Sequence, residues 1–357
     1  MAANTKIEWT DATWPVVAGC TKVSAGCDNC YAIRDSRRLG ENPNPKVSGA
    51  YNGTAAMKNG RVNWTGLVRP LTERLDWPLK WKKPRRIFVC NESDLFHEAV
   101  PDSFIAEVFN IMASGTLSCT KRHKHEEDYC WQGDPHIFQV LTKRPARALD
   151  FMTRGVCAVT QDWPGDAPLE SALEGGPPFW PLPNVWFGVS VEDQKTADER
   201  ITLLLQTPAA VRFVSYEPAL GSLRYLPKIH PSPCSPDVCC TCKPRATSID
   251  WLIAGGESGP GARPAHPDWI RSVRDQCVAA VVPFFFKQWG EWLPEDQMPE
   301  DHPGMFQDYQ ETGPNVRLVE YERGPAVAFP SIPMFRVGKK AAGRVLDGRR
   351  WHEFPKC

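Results

Sequence analysis

"NVWFGVSVEDQKTADERITLLLQ", Asn184–Gln206, is the stretch whose reading decides the fold. Its first half is a near-continuous apolar, β-rich run that ends in Ser190, Glu192 and Asp193. Its second half has amphipathic, helical character. A strand buried on both faces and followed at once by such a helix is the repeating unit of a parallel sheet.

The same pattern recurs on either side. Apolar runs ending in polar groups appear at "RIFVCNESD" (Arg86–Asp94), "HIFQVLTKR" (His136–Arg144), "VRFVSYEP" (Val211–Pro218), "DWLIAGGESG" (Asp250–Gly259) and "VPFFFKQWGE" (Val282–Glu291). Helical stretches lie at Pro101–Ser114 and His266–Ala280, and a first strand is expected at "WPVVAG", Trp14–Gly19. The chain therefore reads as α/β, a complete or partial TIM-type (β/α) barrel over residues 1–291. Two Cys-rich insertions interrupt it at 114–135 and 226–247, and an extension over 292–357, where the periodicity weakens, packs on the barrel.

Catalytic groups of such barrels sit at the C-terminal ends of the strands. Those ends carry Asn91, Glu92, Ser93 and Asp94; Thr142, Lys143 and Arg144; Ser190 and Glu192; Glu217; Gly255, Gly256 and Glu257; and Lys287. Polar residues end the strands of any α/β protein, but here every end carries a charged group, which points to an active-site rim.

Composition narrows the class. The 42 Lys and Arg balance 42 Asp and Glu, so no global field draws in a polyanion, although local basic runs such as Lys80–Arg86 and Gly343–Arg350 have that capacity. No run of about 18 apolar residues could span a bilayer. The first residues lack the basic-then-apolar layout of a secretory signal, so a cytoplasmic location is expected. Thirteen cysteines in a reducing compartment favour metal or redox chemistry over a disulfide framework.

The densest cysteine group is "GCTKVSAGCDNCYA", Gly19–Ala32, with Cys20, Cys27 and Cys30 between the first strand and a plausible helix. Three thiolates at the mouth of a barrel suit three irons of a [4Fe–4S] cluster and leave the fourth iron open, whereas structural zinc takes four protein ligands. Zinc with a ligand from elsewhere and plain buried thiols are the alternatives. The insertions hold Cys119, His123, His125 and Cys130, then Cys234, Cys239, Cys240 and Cys242, enough donors for a zinc site but in no standard finger spacing; an auxiliary iron–sulfur cluster and uncoordinated thiols or disulfides are the alternatives.

Nine motifs in order, from "KIEWTDATW" and "GCTKVSAGCDNCYA" through "SDLFHEAVPDSFI", "FQVLTKRPARAL", "NVWFGVSVEDQ", "RFVSYEPALG", "WLIAGGESGPGARP" and "VPFFFKQWGEW" to "GKKAAGRVLDGR", resemble the phage-associated three-Cys-motif family, which is similar to the radical S-adenosylmethionine (SAM) enzymes. The resemblance implies a radical SAM type of partial barrel, a SAM-ligated [4Fe–4S] cluster on Cys20, Cys27 and Cys30, a flavodoxin- or ferredoxin-like reductant, and, for a phage protein, the cytoplasm of a bacterial host. It names no substrate; the basic runs suggest a nucleotide, nucleobase or nucleic acid. The usual C-x3-C-x2-C spacing of the superfamily is C-x6-C-x2-C here. Its GGE element normally follows the second strand, while Gly255-Gly256-Glu257 follows the sixth, so that role is not carried over.

On this reading Asn91, Glu92, Ser93 and Asp94 meet the SAM amino group, and Tyr31, Arg144 and Ser190 complete the cofactor contacts. Lys143 and Lys287 neutralise a carboxylate or phosphate, and Glu192, Glu217 and Glu257 accept hydrogen bonds from ribose or base edges. Two other classes compete: a zinc-stabilised protein that binds nucleic acid or a partner without radical catalysis, and a SAM- or nucleotide-dependent enzyme without radical chemistry.

Overall fold

A computed structural model describes residues 5–114, 136–160, 180–226, 248–298, 316–319 and 331–355. Both Cys-rich insertions, with Cys119, His123, His125, Cys130, Cys234, Cys239, Cys240 and Cys242, lie outside the described residues.

Seven strands form one sheet in chain order: Ala12–Trp14 (β1), Arg86–Val89 (β2), Ile137–Thr142 (β3), Val185–Val191 (β4), Val211–Tyr216 (β5), Trp251–Gly255 (β6) and Phe284–Gln288 (β7). The pairings β1 with β2, β2 with β3, β5 with β6 and β6 with β7 are parallel. A strand order that follows the chain without turning back is that of a complete or partial β/α barrel; a doubly wound sheet reverses at a switch point. Helices Tyr31–Gly40 (α1), Asp102–Ser114 (α2), Pro145–Thr160 (α3), Gln194–Gln206 (α4) and Pro267–Ala279 (α5) alternate with the strands. All residues of β4 and β6 are buried, which is why these strands are apolar throughout instead of alternating.

The first strand lies earlier than the apolar run suggests. β1 is Ala12–Trp14, whereas Val17–Ala18 pairs antiparallel with Arg69–Pro70 in a separate ribbon. Pro15 stands between them, and a residue without an N–H ends a ladder. Helix α5 starts where the sequence signals it: Pro267 occupies its first turn and the His266 ring accepts from the Asp268 amide at 3.2 Å.

The chain divides into two compact units. One comprises Met1–Lys22, Ala32–Gly188 and Gln206–Val211, the other Val23–Tyr31, Val189–Leu205 and Arg212–Cys357. The first is built around Trp14, Phe96, Phe109, Phe138, Phe151 and Phe187, each fully buried, with Phe96 edge-on to both Phe151 and Phe187. Burial of each such ring contributes about 1.5–3 kcal/mol. The core of the second contains Trp251, Phe284, Phe285 and Phe286.

Within the second unit the chain returns to the outer edge of β7. Phe285 forms an antiparallel bridge with His352, the Phe286 amide donates to the Trp351 carbonyl at 3.0 Å, and the Trp251 indole donates to the Glu353 carbonyl at 2.8 Å. A three-stranded antiparallel sheet, Trp292–Pro294, Val316–Val319 and Ile332–Arg336, also belongs to this unit.

Candidate functional site

In the first unit, the ends of β2 and β3 are tied to the residue after Gly19 by one arginine. Asp94, 5% exposed, accepts from the Phe96 amide (3.0 Å), the Thr142 hydroxyl (2.8 Å), the Lys143 amide (3.0 Å) and Arg144 Nη1 (3.2 Å). Arg144, itself buried, spends its remaining donors on Glu98 (2.9 Å), on the Thr21 carbonyl and hydroxyl (3.2 and 2.8 Å) and, through Nη1, on the Cys20 sulfur at 3.7 Å. Burial works against its charge, but Asp94, Cys20 and Glu98 outweigh that cost and hold the guanidinium more firmly protonated than usual. Thr21 also contacts the His97 ring at 2.9 Å, and burial together with Arg144 holds that imidazole below its ordinary pKa.

Of the four residues after β2 expected to receive an amino group, Asp94, Ser93 and Glu92 divide by role. Asp94 is saturated, and the Ser93 hydroxyl donates to the Val17 carbonyl at 2.8 Å. Glu92 differs: its Oε2 is buried without a hydrogen-bond partner, and burial raises its carboxyl above the usual range against the opposing pull of Tyr51 and Arg74. It has accepting capacity to spare. Cys90, buried at φ +57°, has its thiol pushed up to about 12 by burial and is a core residue, as is buried Cys277.

In the second unit, the segment carrying Cys27 and Cys30 is held by two strand-end carboxylates. Glu192, 1% exposed at the end of β4, accepts from the Ser24 hydroxyl at 2.9 Å and from Arg200 Nη1 at 3.1 Å. Gly26 lies so close that a Cβ there would stand 2.4 Å from Glu192 Oε1, which explains a glycine before Cys27. Glu257, 6% exposed after β6, accepts from the Asn29 amide (3.0 Å) and from the Arg263 side chain (2.6 Å) and backbone (2.8 Å). Arg263 donates onward to the Ala25 carbonyl at 2.9 Å, and its bond to Glu257 raises its pKa. Ser190 contributes its carbonyl to Arg200 at 2.6 Å. Glu217 and Lys287 form a half-buried ion pair at 2.7 Å. Tyr31, at the start of α1, is exposed.

Thr21, Ser24, Asn29, Glu98, Arg200 and Arg263 were not singled out by the sequence pattern. Each is a neighbour in space of a residue that was, and nothing in linear spacing marks it.

None of Cys20, Cys27 and Cys30 is in a disulfide; Cys27 is buried and the other two half-buried. Among the described residues no group of three or more His, Cys, Asp or Glu side chains is gathered about one metal ion. Unoxidised thiols, one of them faced by a guanidinium, are soft donors of the chemical kind that a thiophilic metal or cluster takes. No helix among the described residues is long and apolar enough to cross a membrane.

A family model described as a protein of unknown function, DUF5131, matches residues 4–355. Nothing matches among the curated proteins or among the solved structures.

Proposed function

We propose, for a chain that belongs to the DUF5131 family, that Cys20, Cys27 and Cys30 hold a [4Fe–4S] cluster with one iron open to SAM, in an enzyme of the radical SAM kind. The observation that carries this reading is the investment in one cysteine loop: a buried arginine faces Cys20, and two buried carboxylates fix the segment around Cys27 and Cys30. A scaffold with no use for three thiols has no reason to anchor them with three buried charges, each costly to desolvate.

With SAM bound and one electron from a flavodoxin- or ferredoxin-like donor, such a cluster supplies a 5′-deoxyadenosyl radical. The chain's own residues have simpler tasks. Arg144 places a fixed positive charge beside Cys20 and favours the thiolate that iron requires. Glu192 and Glu257 set the path of the Cys27–Cys30 backbone through Ser24, Asn29 and Arg263. Glu92, with its unpartnered oxygen, accepts a hydrogen bond from a bound amine. Lys287, paired with Glu217, exchanges that partner for an anionic group of the substrate.

Anaerobic purification tests the reading directly. The expected protein is brown, absorbs broadly near about 400 nm, contains about four irons and four sulfides, and loses them in Cys27→Ala. Dithionite and SAM should then yield 5′-deoxyadenosine. A colourless protein carrying zinc alone overturns the proposal.

A further inference from the structure

The chain is neutral overall, but Asn42–Arg86 holds ten Lys or Arg and only two Asp or Glu. Part of this excess is internally neutralised: Arg86 pairs with Asp11, Lys80 with Asp76, and Arg74 lies buried beside Glu73. The remainder includes a β-hairpin in the first unit, Ala55–Lys58 paired antiparallel with Arg61–Trp64 across an Asn59-Gly60 turn. Both turn residues have positive φ, as in the tight turns that close two-residue hairpins.

The register of this hairpin contains a conflict. Lys58 is directly opposite Arg61, so two cations share one face at the tip; both are exposed, and neither has an ion-pair partner among the described residues. Like charges directly opposite each other destabilise a ribbon. A local rule broken without compensation within the fold is characteristic of a functional surface. Ala56 and Asn63 continue the same face, while Met57, Val62 and Trp64 alternate to the other.

The root of the hairpin is firmly built and lies at the cysteine loop. The Thr65 amide and hydroxyl bond to Thr54 and Gly53, and Arg69 donates to the Asn52 carbonyl. A Cβ on Gly19, the neighbour of Cys20, would stand 2.1 Å from the Leu67 carbonyl oxygen and 3.3 Å from the Thr54 side chain. The tip is thus an unneutralised cationic pair on a ribbon anchored beside Cys20.

We propose that this hairpin binds the phosphodiester backbone of a nucleic acid, with Lys58 and Arg61 on adjacent phosphates. A two-stranded ribbon matches the width of a duplex groove, and adjacent phosphates repay the repulsion within the pair. An anionic membrane is the poorer partner, because Met57 is the single large apolar side chain that the ribbon exposes, and interfacial binding needs a broad apolar face. The assignment does not depend on the cluster.

The test is fluorescence anisotropy of the full chain with a labelled mixed-sequence DNA duplex across a salt series. Lys58→Ala/Arg61→Ala should lower the salt slope by about 2, so that the wild-type advantage shrinks about tenfold between about 50 and 200 mM salt. The melting temperature of the double variant should be unchanged or higher, since a repulsion has been removed. Lys339→Ala/Lys340→Ala, which removes two exposed cations of the second unit outside the basic runs, should leave the slope unaltered. The proposal is overturned by absence of wild-type binding, by an unchanged slope in the hairpin variant, by an equal loss in the control variant, or by binding to phosphatidylserine vesicles in place of DNA.

Discussion

Arg144 at the end of β3 and the carboxylates Glu192 and Glu257 after β4 and β6 serve neighbouring parts of one cysteine loop by opposite means. In the first unit a cation touches the sulfur of Cys20 and is itself held by two acids. In the second unit two anions hold the hydroxyl, amide and guanidinium groups that fix the backbone around Cys27 and Cys30. The first arrangement sets a charge against a thiol, the second fixes the path of the backbone that carries two more. Buried charge therefore does two separable jobs within a dozen residues of sequence, and substitutions should separate them.

The largest effect is expected from Arg144→Met, which leaves Asp94 buried without its cation. A loss of about 3–5 kcal/mol in urea denaturation is expected, the cost of stranding one partner of a buried pair. Arg144→Lys should recover part of this loss but not the forked contacts to Thr21 and Glu98. If Arg144→Met unfolds at the wild-type midpoint, the buried Arg144–Asp94 pair does not support this end of the loop and the contrast fails.

A smaller effect tests the positional half. Gly26→Ala forces a methyl into Glu192, whose carboxylate is held by Ser24 and Arg200 and has nowhere to retreat. Overpacking of this kind costs about 1–3 kcal/mol. Amide exchange across Ser24–Cys30 should accelerate, and Gly26→Ala combined with Glu192→Ala should cost less than the two changes added together. Strict additivity would break the link between Glu192 and the loop.

The smallest effect concerns Glu92. Burial raises its carboxyl, so the folded state favours the proton. The sign follows: stability from this group is full at pH below its unfolded value and is lost as pH rises through the raised folded value. Glu92→Gln, which never ionises, should therefore gain melting temperature relative to wild type as pH increases from about 4 to 7. A constant difference across that range would show that Glu92 is not strained by burial.

Much of the fold was legible because parallel strands buried on both faces cannot alternate: Val185–Val191 and Trp251–Gly255 announce themselves as apolar runs. The first strand was misplaced because Val16, Val17 and Ala18 are as apolar as a strand demands, yet Pro15 diverts them into a second ribbon. Strand-end charges were legible as a set, but the groups that hold them were not: Ser24 and Arg200 on Glu192, and the Phe96 and Lys143 amides, the Thr142 hydroxyl and Arg144 on Asp94. Partners such as Arg263 and Asn29 come together only through folding, and no periodicity encodes them. The cationic tip at Lys58 and Arg61 was within reach of sequence alone, since Asn-Gly between short alternating runs fixes which residues face each other.

The return of Trp351–Glu353 to the edge of β7 has a consequence of its own. Phe284, Phe285 and Phe286 would otherwise offer a bare, sticky ladder on which another molecule could template itself. This segment acts as a stopper, and a chain without its pairing would trade solubility for polymerisation long before it lost its interior.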